Sequence, residues 1–232
     1  MINIGTLELA DIAVGSTPIE KAYIGSTLVW EKSSPLLYDA QVEWLATDGV
    51  AYIDTGITVS NTVKFDFDIY SEYNHLSIFF GARTGTSSGL MTIMAKNQSG
   101  ASDNGIRWSF GTKNVVISNH KLLDTNTRVN FKNTSAARTL VYDGTYSMTA
   151  TSQTFSTSRT LYMFKMNNNG TAGGNEWPLR CYYLKIWTGS TLVRDFIPVR
   201  KNGVGYLYDK VSEELFGNAN STGAFTYGND VT

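Results

Sequence analysis

The chain has 232 residues and a formal net charge of −1, with 19 Lys and Arg against 20 Asp and Glu. That balance excludes the broad positive field on which nucleic-acid binders depend, and 42% hydrophobic with only 17% charged residues excludes a disordered chain. Thr, Ser and Asn supply more than a quarter of the residues, and Gly (21) far outnumbers Pro (4), a mix suited to short strands joined by tight turns.

Residues 1–32 carry two β-type runs, 2–12 and 19–30, with Gly-Ser-Thr turns at 15–17 and 25–27. So short a piece cannot bury a stable core alone. It is expected to be a small β appendage that packs on the main domain, on a sister chain or on a larger assembly. Segment 33–37, with Ser33, Ser34 and Pro35, reads as a linker. Residues 38–232 read as one domain that includes a C-terminal hairpin block at 195–232.

Helical periodicity is nearly absent, and period-2 alternation takes its place. The clearest case is 63–70: Val63, Phe65, Phe67 and Ile69 point one way, and Lys64, Asp66, Asp68 and Tyr70 the other. That pattern predicts a strand with one buried and one wet face. Further strands are predicted at 76–81, 90–95, 106–110, 128–131, 139–142, 160–166, 179–187 and 192–198, and a hairpin at 205–209 and 214–217 around the turn 210–213. Regular short strands with Gly, Asn, Asp and Ser punctuation indicate a sandwich or barrel. No run approaches the ~18–20 apolar residues of a membrane-spanning helix, so no membrane insertion is expected. The N-terminal residues show neither the basic nor the apolar stretch of a secretory signal. Cys181 is the single cysteine, which excludes an intrachain disulfide. Its neighbours Tyr182, Tyr183 and Leu184 predict a buried core thiol.

Several segments resemble, in order, a concanavalin A-like lectin/glucanase jelly roll of the laminin-G type. The 47–56 stretch, with Asp48-Gly49 ahead of Tyr52 and Asp54, resembles that family's opening strand pair. Residues 65–70 followed by Ile78-Phe79-Phe80-Gly81 resemble the next two long strands. Residues 128–131 leading to Leu140-Val141-Tyr142-Asp143-Gly144 resemble a hairpin with a Tyr-x-Gly tip, and 179–187 resembles a late strand that returns through the core. The likeness covers roughly 38–200 and implies an all-β, two-sheet antiparallel jelly-roll sandwich. Two segments are similar to something narrower. Residues 22–32 look like the N-terminal module of tailed-phage and prophage virion proteins, and 195–210 with 214–218 look like a C-terminal block of gut-bacterial and phage proteins. These likenesses imply a virion or prophage-encoded particle as the setting and a structural or adhesive role, with other virion proteins or copies of the chain as partners.

Glucanases of the resembled family carry carboxylates at alternate positions of one strand. The nearest match here is Asp66, Asp68 and Glu72. Asp66 and Glu72 would stand about 20 Å apart on a strand, too far for glycoside hydrolysis. Asp66 and Asp68 are close, but read as solvated residues. His75 and His120 lie in polar loops, and there is no Gly-x-Ser-x-Gly elbow. No catalytic residue is therefore expected. No Cys/His pair has zinc spacing. The oxygen-rich loops 102–105, 167–170 and 218–220 offer few carboxylates. They read mainly as left-handed turns, with calcium as the alternative that the resembled family raises. Four Asn-x-Ser/Thr sequons, at Asn97, Asn133, Asn169 and Asn220, read as a consequence of composition. Glycan binding survives as the expected function. It needs an aromatic platform beside amide, carboxylate or guanidinium groups. The candidates are Trp177 with Asn175 and Glu176; Trp108 and Arg107 after Asp103 and Asn104; and Tyr73 with His75. Trp44 and Trp187 read as packed. The ligand would be a glycan or cell-surface polysaccharide. A purely structural virion protein and a glucanase-type hydrolase are the alternatives.

Overall fold

The structure, a computed structural model, describes residues 12–14, 17–19, 21–31, 36–71, 78–85, 88–96, 105–116, 128–151, 154–174 and 178–231. The chain forms two compact units, Met1–Leu36 and Leu37–Thr232. In the first, β1 (Ile12–Val14) pairs with β2 (Thr17–Ile19) and β3 (Lys21–Ile24) with β4 (Thr27–Glu31). Ile24 faces Thr27 across a two-residue turn in which Gly25 has φ 63°, the left-handed backbone that such tight hairpins require. Tyr23, Ile24, Leu28 and Val29 are exposed on this second hairpin.

The second unit is an all-β sandwich of mainly antiparallel strands, with no helix among the described residues. Its strands are β5 (Ala40–Gln41), β6 (Leu45–Thr47), β7 (Ile53–Ser60), β8 (Val63–Ser71), β9 (Ile78–Arg83), β10 (Leu90–Lys96), β11 (Gly105–Gly111) and β12 (Lys113–Val116). They continue with β13 (Val129–Lys132), β14 (Thr139–Tyr142), β15 (Tyr146–Thr149), β16 (Ser156–Met163), β17 (Met166–Asn168) and β18 (Thr171–Gly173). The chain closes with β19 (Leu179–Thr188), β20 (Thr191–Lys201), β21 (Val204–Asp209), β22 (Glu214–Phe216) and β23 (Phe225–Tyr227). The smaller sheet has the order β12-β11-β10-β9-β16-β7, with β17 added parallel to β9 and β18 paired to β17. The larger has the order β15-β14-β13-β8-β19-β20-β21-β22; β6 pairs with both β19 and β23, and β5 with β20.

The alternation along β8 positions this architecture. Val63, Phe65, Phe67 and Ile69 are buried, while Lys64, Asp66, Asp68 and Tyr70 are only partly so. Phe65 and Phe67 meet Phe80 of the smaller sheet at ring distances of 5.2 and 5.4 Å, and Phe65 meets Trp108 at 5.8 Å. Each such ring stabilises the fold by roughly 1.5–3 kcal/mol through burial. The two sheets therefore pack face to face on their aromatic sides, and the polar side of β8 looks away from the core.

Two buried polar residues fasten the edges of this core. Asn133, fully buried, accepts from the Phe65 N–H and donates to the carbonyls of Val63 and Ala137. It thereby replaces the ladder where β13 leaves β8. Asp209, also fully buried, accepts from the backbone N–H groups of Asp195, Val211 and Ser212 and from the Ser212 hydroxyl, with Arg194 Nη1 at 3.4 Å. It builds the β21–β22 turn. Beyond β23, Arg200 forks onto the two oxygens of Asp230 at 2.8 and 2.7 Å.

Candidate functional site

The outward face of the larger sheet gathers aromatic, carboxylate and guanidinium side chains, and a bulge in β19 decides which residues of that strand reach it. Cys181 pairs with Ile69 and Tyr183 with Asp68, so Tyr182 is an inserted residue. Strict alternation from buried Cys181 would send Tyr183 inward. With the extra residue, Cys181 and Leu184 are both buried, and Tyr182 and Tyr183 both lie half-buried on the polar side. A bulge re-aims side chains in this way.

Tyr183 enters a polar network. Its hydroxyl donates to Asp66 Oδ1 at 2.7 Å. Asn130 Nδ2 on β13 donates to Asp66 Oδ1 at 2.7 Å and Asp68 Oδ1 at 2.8 Å, with the Tyr183 oxygen at 2.9 Å. Arg128 Nε donates to the other Asp68 oxygen at 2.6 Å. Burial, then the hydrogen bond to Asp66 and the charge of Asp68, push the Tyr183 phenol well above its usual range, so it stays a neutral donor. Both carboxylates are therefore held by neighbouring donors and lie on one wet sheet face.

Beside this network the face hollows into two adjoining depressions that share Trp44. One, of about 280 Å³, is lined by Trp44, Asp48, Tyr70, Pro178 and Arg180 among others. The second, of about 390 Å³, is lined by Glu43, Trp44, Arg128 and Tyr182. The guanidinium carbon of Arg180 lies 4.6 Å from the Trp44 ring centre and 4.9 Å from that of Tyr70, and that of Arg128 lies 4.1 Å from Tyr182. These cation–π contacts hold three rings in fixed orientations at the rim of a shallow surface. Asp48 is an exposed member of the first depression's lining. Burial alone would raise its pKa, but N–H groups of Ala51, Ala224 and Val50 outweigh that and hold it below the usual carboxylate range.

The sequence candidates meet this face only in part. Trp108 is corrected: it is fully buried among Phe65 and Phe110, and its Nε1 donates to the Arg138 carbonyl at 3.0 Å. No ligand can stack on it. Arg107, its neighbour on β11, belongs to the smaller sheet and stands apart from the depressions. Tyr73, His75, Asp103, Asn104, Asn175, Glu176 and Trp177 lie outside the described residues. Sequence reasoning missed Trp44, Tyr70, Tyr182 and Arg180. Trp44 and Trp187 read as packed, yet both line depressions. The alternation of Tyr70 with Ile69 marked it as outward. Nothing local marked Tyr182, because the bulge depends on the partner strand.

The Asn-rich loops serve the fold. Asn167 Oδ1 accepts from the Gly170 N–H and Asn168 Oδ1 from Arg83, while Asn169 sits at φ 54°. Asn218 Oδ1 accepts from the N–H groups of Tyr52 and Asn220, and its amide donates to Thr222 and Gly223. The loop before Gly105 lies outside the described residues. Among the described residues, no three His, Cys, Asp or Glu side chains gather as a metal site, and no helix is long and apolar enough to cross a membrane. Cys181 is buried, which pushes its thiol pKa far up. No protein-family model matches this chain, and a search of curated proteins finds no match.

Proposed function

We propose that this chain is a non-catalytic carbohydrate-binding module, and that its ligand rests on the outward face of the larger sheet at Trp44, Tyr70, Arg180, Tyr182 and Arg128. The observation that carries the reading is the shared wall: one tryptophan borders two shallow depressions, and each depression contains a guanidinium stacked on an aromatic ring. Sugars present apolar ring faces and many hydroxyls. Fixed aromatic rings take the first, and Asp, Glu, Asn and Arg groups take the second. Single sites of this kind are weak, and display in many copies multiplies them. The all-β sandwich supports a concanavalin A-like jelly roll as the scaffold. The segments at 22–32 and 195–218 support a tail-associated adhesin on a phage or prophage particle as the setting.

The test is an array of bacterial cell-surface and plant polysaccharides probed with the wild-type chain and with Trp44→Ala and Tyr182→Ala. Wild type is expected to retain at least one polysaccharide, and both variants to lose it with unchanged circular dichroism. Retention of none at high protein concentration overturns the reading in favour of a purely structural virion protein. Release of reducing sugar from a β-glucan, abolished in Asp66→Asn or Asp68→Asn, overturns it in favour of a hydrolase.

A further inference from the structure

A third depression, of about 310 Å³, opens on the same outward face and is lined by Lys64, Thr134, Trp187, Gly189 and Ser190. Its position relative to the first follows from the strand register. Arg180 pairs with Tyr70 and Trp187 with Lys64, all on the β19–β8 ladder. The wells therefore stand at opposite ends of one strand pair, separated by about 20 Å at about 3.3 Å per residue. Between them lie the side chains of Tyr183, Asp66, Asp68 and Asn130, whose oxygens and amide point off the sheet beside Lys185. Asp68 is paired with Arg128, and Lys185 reaches Asp195 at 3.7 Å. The floor between the wells is thus polar and of mixed charge, with Asp68 and Asp195 paired to cations and Asp66 held by the neutral donors Asn130 and Tyr183.

An aromatic residue at each end of a polar track without excess positive charge fits a long ligand better than a small one. We propose that the ligand is an uncharged linear polysaccharide that lies along β19, with one sugar ring against Trp44 and Tyr70 and a later ring of the same chain against Trp187. The inference rests on the carbohydrate-binding reading above and adds to it the ligand's shape, length and direction. A terminal monosaccharide would fill one well and leave the other idle. A strongly acidic chain would meet the carboxylates of Asp66 and Asp68 with no excess of positive charge.

The experiment is calorimetry with linear oligosaccharides of graded length from cellulose, chitin and mannan, using wild type, Trp44→Ala, Trp187→Ala and Ser190→Trp. Ser190 is an exposed turn residue, so its substitution fills the third well without touching the core. In wild type, affinity is expected to rise with chain length and then level off once both wells are occupied. Trp187→Ala and Ser190→Trp are expected to leave the shortest binding oligosaccharide unaffected and to weaken the longest about tenfold, the worth of one ring contact. Length-independent affinity, or long-chain binding unmoved by both distal variants while Trp44→Ala abolishes it, overturns the two-well proposal and leaves the carbohydrate site standing. Failure of every oligosaccharide to bind wild type overturns both.

Discussion

Arg180 lies against Trp44, its guanidinium carbon 4.6 Å from the ring centre, although the two residues are far apart in sequence. They meet because β6, which follows Trp44 directly, pairs with β19, Ala46 facing Arg180. The same guanidinium also lies 4.9 Å from the Tyr70 ring. A planar cation between two rings orients both; a lysine ammonium in its place would attract them without a flat surface. Arg180→Lys is therefore expected to weaken the binding of any array-positive polysaccharide about fivefold, by about 1 kcal/mol. Its melting temperature should stay within a few degrees of wild type. Calorimetry beside thermal unfolding checks both.

Gly228 leaves no room for a side chain beside the indole nitrogen of that tryptophan. A Cβ placed there would stand 2.8 Å from Trp44 Nε1 and 2.9 Å from Glu43 Cβ. Gly228→Ala must displace the ring that both depressions share. Binding should fall several-fold while the strand content, measured by far-ultraviolet circular dichroism, stays as it is.

Asn133 is expected to matter for stability and not for modification. Asn133→Ala leaves the Phe65 N–H and the Val63 and Ala137 carbonyls buried without a partner, which costs about 2–3 kcal/mol. Chemical denaturation reads this as a lower midpoint. Its sequon should stay unmodified in a glycosylating host, since the amide is fully buried; peptide mapping after secretion from such a host checks it.

Asp209→Ala should be the more damaging change. It removes an acceptor shared by three backbone N–H groups and a hydroxyl and strips Arg194 of its carboxylate. Loss of one partner from a buried pair costs about 3–5 kcal/mol. Protection from hydrogen exchange should disappear first in β20, β21 and β22.

Stability should fall at both ends of the pH scale, for opposite reasons. Asp48 and Asp230 have folded pKa values below the usual carboxylate range. Backbone N–H donors lower the first against the effect of burial, and the Arg200 fork lowers the second. Such groups bind protons more readily when unfolded, so their stabilisation is present above about pH 4 and is lost as pH falls below it. Tyr142 and Tyr162 are pushed up to about 12, foremost by burial, then by Tyr146 for the first and by Tyr52 and Asp54 for the second. Their unfolded phenols ionise first, so stability should decline as pH rises from about 10 toward 12. Denaturation midpoints across the pH range test this. Asp48→Asn should flatten the acid limb alone.

The strand pattern was legible because it is local. The 63–70 alternation became β8 nearly residue for residue, 139–142 became β14, and 179–187 became β19 within a residue. The stretch 160–166 was less so: β16 begins earlier, at Ser156, and β17 starts at Met166. Phe164 between them takes φ 74°, a break that apolar periodicity does not announce.

Composition and alternation by themselves determined the class of this protein: antiparallel strands, one apolar face each, and a hydroxyl- and amide-rich exterior of near-zero charge. Hydrophobic burial enforces that much in any register. Which aromatic residues face solvent was decided only by the tertiary structure. Trp108 and Trp44 sit in equally apolar surroundings in the sequence, yet one is sealed between two sheets and the other walls an open surface. Tyr182 and Tyr183 both turn outward because β19 gains one residue on β8 at that point. Both outcomes depend on which strand lies alongside, a partner that no short stretch of chain contains.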